Sequence, residues 1–333
     1  MHNFLLLGAG FSRNWGGWLA NEVLDYLLGC PEVQEDKYLC GLLWDFEEKG
    51  GFEAALTELQ VESITKKESS KIKSLSVFYS ALSNMFSEMD EALNDLPDFE
   101  FNQFRGKHVK TFLARFEAIF TLNQDVLLER YYLDQVYSVT SPGRKRWDGF
   151  QIPGMRKRAQ EAQVSKNFTE SIWDEIQPLE IKIKNNFQPY YKLHGSCNWK
   201  STKSENMMIM GSNKEKIINE YPVLKRYHKV FKENISQTNT KLMIIGYGFG
   251  DAHINTAICE GVEKNNLKIF IIDKLGDKAP SQHRLKSQGI IGMPITPIEE
   301  AVKKAFIGSS TRSLPKTFGD DPIEFGKIMK FFS

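Results

Sequence analysis

Short apolar runs of strand length recur along the 333-residue chain, and each ends directly in a small or polar residue. Uniformly apolar runs of this length are typical of strands that are buried on both faces of a parallel sheet. The runs lie at residues 4–7, 117–122, 189–193, 241–245 and 268–272. They predict an α/β fold with a Rossmann-like parallel sheet.

A long helical block separates the first run from the second. Residues 31–106 show apolar residues at helical spacing and no strand-like run, which predicts a large helical insertion. Within it, residues 71–93 are predicted to form one amphipathic helix. Its buried stripe would consist of Leu75, Phe78, Leu82, Met85, Phe86 and Met89. We therefore expect one domain over residues 1–307, with a lid or helical segment at about 140–185 and a C-terminal tail at 308–333.

Charge and cysteine usage narrow the class of protein. The formal net charge is +1, so no global field attracts nucleic acid or an anionic membrane. The four cysteines are scattered and form no C-x-x-C pair, which predicts neither a structural zinc site nor a disulfide framework. The opening apolar run is broken at Gly8 and has no basic region before it, unlike a secretory signal. We expect a cytoplasmic protein without a membrane span.

The first apolar run leads into two glycines, Gly8 and Gly10, and a helical pattern begins at Trp18. A strand, a glycine turn and a helix start can cradle a phosphate, because glycine lets the backbone approach and the helix end presents N–H groups. Arg13 stands where the dinucleotide fingerprint has its third glycine. An ordinary glycine turn therefore remains an alternative at this point.

The residues that end the five runs would lie along one edge of a shared sheet, where ligands of parallel sheets bind. These residues are Gly8, Asn123, His194, Gly246 and Asp273. The glycine loops suit a pyrophosphate and Asp273 suits a ribose diol, while Asn123 and His194 remain for chemistry. Basic residues at 144–146 and 156–158 form either a solvated face or a cationic lid over a phosphate-bearing ligand.

Four motifs resemble those of the sirtuin-like family, in the branch found in bacterial antiphage defence. They are Gly-Ala-Gly-Phe-Ser at residues 8–12, Thr-Leu-Asn-Gln-Asp at 121–125, Leu-His-Gly at 193–195 and Gly-Tyr-Gly-Phe-Gly-Asp-Ala-His-Ile-Asn at 246–255. The chain departs from sirtuin deacylases because its cysteines cannot supply their four-cysteine zinc module. The resemblance therefore implies a zinc-less NAD+ glycohydrolase that cleaves NAD+ to nicotinamide and ADP-ribose.

The resemblance also implies roles for individual residues. Asn123 would hold the attacking water and a ribose hydroxyl, His194 would act as the base, and Asp125 would bind the nicotinamide amide or favour the cationic sugar. The residues expected to bind NAD+ are Gly8, Ala9, Gly10, Ser12, Gly246, Gly248, Asp251 and Asp273, with Gly246 and Gly248 on the wall opposite the first loop. No residue is expected to bind a metal. The other histidines that belong to no motif are His2, His108, His228 and His283.

The resemblance further implies a homo-oligomer with a partner, either an ATPase of the HerA type or an Argonaute-like sensor, and no direct binding of nucleic acid. The tail would either dock a partner or pack back on its own domain. Two other functions remain open: an NAD-dependent protein deacylase or ADP-ribosyltransferase, and a non-catalytic module that senses NAD or ADP-ribose. A hydride-transfer dehydrogenase ranks last, because the second run is not followed by the acid that binds ribose in such enzymes.

Overall fold

The computed structural model describes most of the chain. The residues outside the description are 67, 97, 102–106, 134–138, 141–145, 159–171, 178, 180, 205, 212, 283 and 285–293. Arg144, Lys145 and His283, which the sequence analysis singles out, lie outside the described residues. The same holds for much of the predicted lid at 140–185.

A seven-stranded parallel sheet forms the centre of the molecule, with the strand order β13-β12-β11-β1-β2-β8-β5. Its strands are β1 (His2–Leu7), β2 (Ala118–Thr121), β5 (Gly149–Gln151), β8 (Phe187–Lys192), β11 (Thr240–Ile245), β12 (Lys268–Ile272) and β13 (Phe306–Ser310). All five predicted runs are in this sheet, which confirms the α/β class with a Rossmann-like parallel sheet. β1, β2, β11 and β12 are almost entirely buried because helices cover both faces.

The register aligns the carboxyl ends of five neighbouring strands. Leu7 pairs with Ile245 on one side and with Thr121 on the other, and the row continues to Ile272 and Lys192. The order of the strands reverses at β1, since the chain continues to β2 on one side and returns to β11 on the other. Ligands of open α/β sheets bind in the crevice at this kind of switch point.

In the described part of the chain, two smaller sheets accompany the central sheet. One has the order β10-β9-β7-β6 and the other pairs β3 with β4. Their strands are β3 (Val139–Thr140), β4 (Arg146–Trp147), β6 (Met155–Lys157), β7 (Trp173–Glu175), β9 (Gly195–Lys200) and β10 (Asn206–Met208). The described residues of the predicted lid at 140–185 therefore include short strands, among them a strand of the central sheet.

The helical insertion is present. Its helices in the described residues are Pro31–Glu35, Lys37–Phe46, Gly51–Lys66 and Ser69–Asn94. The last contains the predicted amphipathic helix, and Phe78, Leu82, Met85, Phe86 and Met89 of its stripe are buried. Helices elsewhere are Ala9–Ser12, Ala20–Gly29, Val109–Leu113, Lys214–Glu220, Pro222–Ile235, Ala252–Asn265, Pro297–Ala305, Leu314–Gly319 and Pro322–Met329. Across the described ranges, no helix is both long and apolar enough to cross a bilayer.

The segment predicted as a tail contains regular structure. β13 is an edge strand of the central sheet and crosses the expected boundary at residue 308, and the helices Leu314–Gly319 and Pro322–Met329 follow it. Phe318, Ile328 and Phe331 are buried in the main core. β13 is not recognisable as an apolar run in the sequence, because its two apolar residues are followed by Gly308, Ser309 and Ser310.

Candidate active site

A cavity of about 1020 Å³ opens at the carboxyl ends of the aligned strands. Ten of the eleven predicted site residues line it: Gly8, Ala9, Gly10, Asn123, Asp125, His194, Gly246, Gly248, Asp251 and Asp273. The eleventh, Ser12, lies behind the wall and is 3% exposed. Residues that are far apart in sequence thus share one cavity of a size usual for small-molecule sites.

The first wall, here called the glycine wall, consists of Gly8, Ala9, Gly10, Gly246 and Gly248. Its two loops touch, because the Gly8 N–H donates to Ile245 O and the Gly10 N–H to Gly246 O, both at 3.0 Å. A Cβ on Gly8 would lie 2.6 Å from Gly246 O, and Gly246 has a φ of +63°. The loops therefore form one continuous surface and do not face each other across the cavity as expected.

The element that directly follows the first loop is not the helix that the pattern from Trp18 predicts. Ala9–Ser12 is a single turn followed by the 3₁₀ turn Arg13–Trp15, and the longer helix begins only at Ala20. A single turn has a small dipole, and the Gly8 and Gly10 N–H groups already donate to backbone oxygens. The predicted phosphate site therefore depends on nearby cations more than on a helix end. The cations that line the cavity are Arg13, Lys214, Lys274 and Arg312.

The second wall, here called the polar wall, consists of Asn123, Asp125 and His194. Ser12 holds the first two in place: its hydroxyl donates to Asp125 Oδ2 at 2.8 Å and accepts a hydrogen bond from Asn123 Nδ2 at 2.9 Å. Ser12 was predicted to bind phosphate, whereas in the structure its single proton and an acceptor site serve this network. Ser12 is therefore a positioning residue behind the cavity.

The orientation of the Asn123 amide follows from this network. Because the Ser12 proton goes to a carboxylate, the Ser12 oxygen must accept from its other neighbour, so the amide NH₂ group of Asn123 faces Ser12. The amide oxygen, Asn123 Oδ1, is then buried without a hydrogen-bond partner. A buried acceptor without a donor is costly, and the residue that carries it lines the cavity.

Backbone contacts join the segment of Asn123 to the segment of His194. Gln124 Nε2 donates to Ile209 O at 2.7 Å and lies 3.5 Å from His194 O, and Ser196 Oγ donates to Gln124 O. Below them, the buried Lys192 ammonium donates to Asp125 O and to Glu129 Oε1. The polar wall therefore rests on buried hydrogen bonds and an ion pair, which restrict its movement.

His194 belongs to a cluster of three histidines. Its Nε2 lies 3.1 Å from His253 Nε2, and the His228 ring lies 5.1 Å from that of His253, centroid to centroid. Burial lowers the pKa of His194 well below its usual range, so its ring is neutral near neutral pH. The expectation that His228 belongs to no group is wrong, because its ring lies in this cluster. Its place on the helix Pro222–Ile235 gives no local sequence signal for this contact.

Lys214 connects the insertion to the site. Its ammonium donates to Asp251 Oδ1 at 2.9 Å and pairs with Glu53 Oε2 at 2.8 Å. Burial alone would raise the pKa of Asp251, but the ion pair with Lys214 outweighs it and lowers the pKa. Asp251 is therefore ionised and held, which fits a residue that organises the loop after β11.

The insertion also roofs the cavity. The helical roof, defined as Phe52, Met85, Phe86 and Met89, lines the side away from the sheet. Asp90 from the same long helix accepts from the Val126 N–H at 3.3 Å, and Cys197 Sγ lies 3.3 Å from its other oxygen. Burial, reinforced by the charge of Asp125, raises the pKa of Asp90 to about 7.

Asp273 lies at the carboxyl end of β12, on the cavity. Its Oδ1 accepts from the Leu275 N–H at 2.8 Å, and burial raises its pKa. This hydrogen bond fixes the turn after the strand, while the other carboxylate oxygen can accept from a hydroxyl. The placement fits the predicted ribose contact and also the simpler role of a turn residue.

The comparisons with known proteins agree with this picture. A family model described as SIR2-like domain matches residues 117–291, which is more than half of the chain. The matched region starts one residue before β2 and includes the polar wall, β11 and β12, whereas β1 and the insertion precede it. No curated protein matches the chain.

Proposed function

Since the chain belongs to the family of SIR2-like domains, we propose that it is an NAD+ glycohydrolase. It would cleave NAD+ to nicotinamide and ADP-ribose as an effector of bacterial antiphage defence, so that infected cells lose NAD+. A SIR2-like domain fits an NAD-related activity in general, and the hydrolase reaction is the specific proposal made here.

The observation that carries the proposal is the Asn123 amide, which Ser12 holds in place on a residue that lines the cavity. Hydrolysis of the nicotinamide–ribose bond needs a group that holds a ribose hydroxyl or the attacking water. The Asn123 amide, which is held through Ser12, is the polar group of the right chemistry for such a contact, since an amide offers both donor and acceptor atoms. Because the amide is already oriented, little free energy is spent on ordering it during the reaction.

Asp125 and His194 complete the polar wall. Asp125 keeps a carboxylate beside the Asn123 amide, where a negative charge favours a sugar that becomes cationic as the bond breaks. His194 is neutral and can accept a proton, and the nearby His253 can share that proton across the 3.1 Å contact between the two Nε2 atoms. The burial that lowers the pKa of His194 also makes it a weaker base. Sharing the proton with His253 would make it easier for His194 to accept one.

The remaining lining fits the other parts of a dinucleotide. The glycine wall exposes backbone at the switch point, and Arg13, Lys274 and Arg312 supply positive charge for a pyrophosphate. Asp273 can accept from a ribose hydroxyl. The cavity volume of about 1020 Å³ leaves room for a ligand of this size.

Regulation by assembly is part of the proposal. We propose that the chain forms a homo-oligomer that stays inactive until a partner, an ATPase of the HerA type or an Argonaute-like sensor, signals infection. Membrane attachment and direct binding of nucleic acid are not expected.

The test is nicotinamide release from NAD+, measured by chromatography with purified chain alone and together with the products of neighbouring genes. We expect free ADP-ribose as the second product, a strongly reduced turnover by Asn123→Ala, and full turnover by Asn219→Ala, which changes an exposed asparagine. ADP-ribose attached to protein would indicate a transferase, and acyl-ADP-ribose a deacylase. Tight NAD+ binding without nicotinamide release under any condition would favour a sensor and contradict the proposal.

A further inference from the structure

His194 of the polar wall meets two further histidine side chains, and the three come from separate elements. His194 follows β8, His228 lies on the helix Pro222–Ile235, and His253 lies near the start of the helix Ala252–Asn265. Each ring offers a nitrogen such that all three nitrogens lie within 4.8 Å of one another. In the parts of the chain that the structure describes, this is the group with metal-ligand geometry.

We propose that His194, His228 and His253 form a binding site for one divalent transition-metal ion of the Zn²⁺ class. Three imidazole nitrogens are a donor set that suits zinc, copper, nickel and iron, and zinc sites with three protein ligands keep one position for another ligand. None of the chain's four cysteines is in the cluster, so the site is separate from any thiolate chemistry.

The distances between the rings fit such an ion. With zinc–nitrogen bonds of about 2.0–2.1 Å, two nitrogens of a tetrahedral site lie about 3.3 Å apart. The separation of 3.1 Å between His194 Nε2 and His253 Nε2 is already close to this value. The third nitrogen lies no more than 4.8 Å from the other two, so the His228 ring would move closer on binding.

The hydrogen bonds of the cluster also favour metal binding. His228 Nε2 donates to Leu193 O at 2.8 Å, which leaves its Nδ1 with a free lone pair for the ion. A backbone carbonyl that fixes the tautomer of a histidine is the usual support of a metal ligand. Between His194 and His253, one Nε2 carries the shared proton, and binding moves this proton to Nδ1 of the same ring.

The charge around the rings is compatible with a cation. The Asp251 carboxylate interacts electrostatically with all three rings and supplies negative charge to the cluster. The positive charge of Lys214 is compensated by its ion pairs with Glu53 and Asp251.

Metal binding at the three histidines has a consequence for NAD+ cleavage, and this consequence rests on the proposed function. The ion takes the Nε2 lone pair of His194, so bound zinc should inhibit NAD+ cleavage, and a chelator should restore it. A chain that binds zinc but never releases nicotinamide would refute the proposed hydrolase and leave the metal site standing. A chain that cleaves NAD+ but does not bind zinc would do the opposite.

The experiment uses the full chain and the metals alone. Co²⁺ is titrated and followed by visible absorption, and Zn²⁺ affinity is measured by competition with a chromophoric chelator. We expect one equivalent of each metal and intense Co²⁺ bands typical of low coordination number. His228→Gln and His253→Gln should weaken Zn²⁺ binding by more than the roughly 10–100-fold that changes around a metal site cost. His108→Gln, outside the cluster, should bind as wild type.

A second measurement covers the case in which the variants fail to fold. Ring-nitrogen NMR of the wild-type chain should show three histidines shifting together when Zn²⁺ is added. Stoichiometric binding that leaves these rings unshifted, variants that bind as tightly as wild type, or a wild-type chain without a stoichiometric site would each overturn the proposal.

Discussion

At the carboxyl ends of β1 and β11 the cavity wall is made of backbone, whereas at the ends of β2 and β8 it is made of side chains. The glycine wall exists because two loops touch so closely that a Cβ on Gly8, Gly10 or Gly246 would collide with backbone. The polar wall exists because Ser12, behind it, orients Asn123 and Asp125. Substitutions in the first wall should therefore affect folding, and substitutions in the second should affect chemistry.

The largest effect is expected on the polar wall. Asn123→Ala removes the unpartnered amide oxygen, so the rate of nicotinamide release should fall about 10³-fold. The melting temperature should change little, since the side chain lines a cavity and has one hydrogen bond to a side chain. A variant with near wild-type turnover would remove Asn123 from the reaction.

On the glycine wall, Gly246→Ala should destabilise the fold by roughly 3 kcal/mol. The new Cβ would lie 2.3 Å from Gly10 C, and the φ of +63° disfavours any side chain. Urea unfolding measures the change. Gly41→Ala is the matched control, because no atom lies within 4 Å of its Cβ and alanine favours its helix. Equal stability of both variants would contradict the close contact of the two loops.

The long helix that carries most of the helical roof contacts the segments beside the polar wall through a titrating group, the Asp90 carboxyl. Asp90 has a pKa of about 7 in the folded chain, well above the value of 3.8 expected for an exposed aspartate. A raised acid pKa means that the folded state binds the proton more tightly, so stability is lost as pH rises from about 4 through about 7. Between about pH 5 and 8 the loss should be about 2–3 kcal/mol.

Asp90→Asn tests this, because the amide can still accept from the Val126 N–H but does not titrate. Urea unfolding over that range should show a flatter pH dependence in the variant than in wild type. Asp25→Asn, which changes an exposed aspartate, should keep the wild-type dependence. Identical pH dependence in all three chains would show that Asp90 does not titrate there.

Ser12→Ala should have an intermediate effect, because Ser12 follows the first glycine loop and orients two residues of the polar wall. It leaves Asn123 in place but removes the hydroxyl that orients it, so turnover should fall about 10–30-fold, less than for Asn123→Ala. Steady-state kinetics should show the loss mainly in kcat. Ser80→Ala, on an exposed position of the long helix, serves as control. An increase in KM alone would instead support the original prediction that Ser12 binds phosphate.

The smallest effect is expected at the rim. Arg312→Gln should raise KM for NAD+ by about 3–10-fold with little change in kcat, because its side chain is 60% exposed and its charge is screened. Lys316→Gln, an exposed cation outside the cavity lining, should leave KM unchanged. A loss in kcat with unchanged KM would show that Arg312 acts in the reaction itself, and this would contradict its role as a residue of the rim that only helps to bind NAD+.

Sequence patterns predicted the sheet because its buried strands are uniform apolar runs, and the position of Asn123 and His194 follows from where those runs end. β13 was missed because Gly308 and the serines after it interrupt the apolar pattern at a sheet edge. His228 was missed because it is far from His194 in sequence. Only the packing of the helix Pro222–Ile235 brings the two rings close together. The role of Ser12 was also missed, since its partners are 111 and 113 residues away.

The division of the cavity is tested most directly by a crystal structure of Asn123→Ala with NAD+ bound. The account predicts the pyrophosphate against Gly8–Gly10 and Gly246, and the nicotinamide riboside between position 123 and His194. NAD+ bound in the reverse orientation, or outside this cavity, would contradict it.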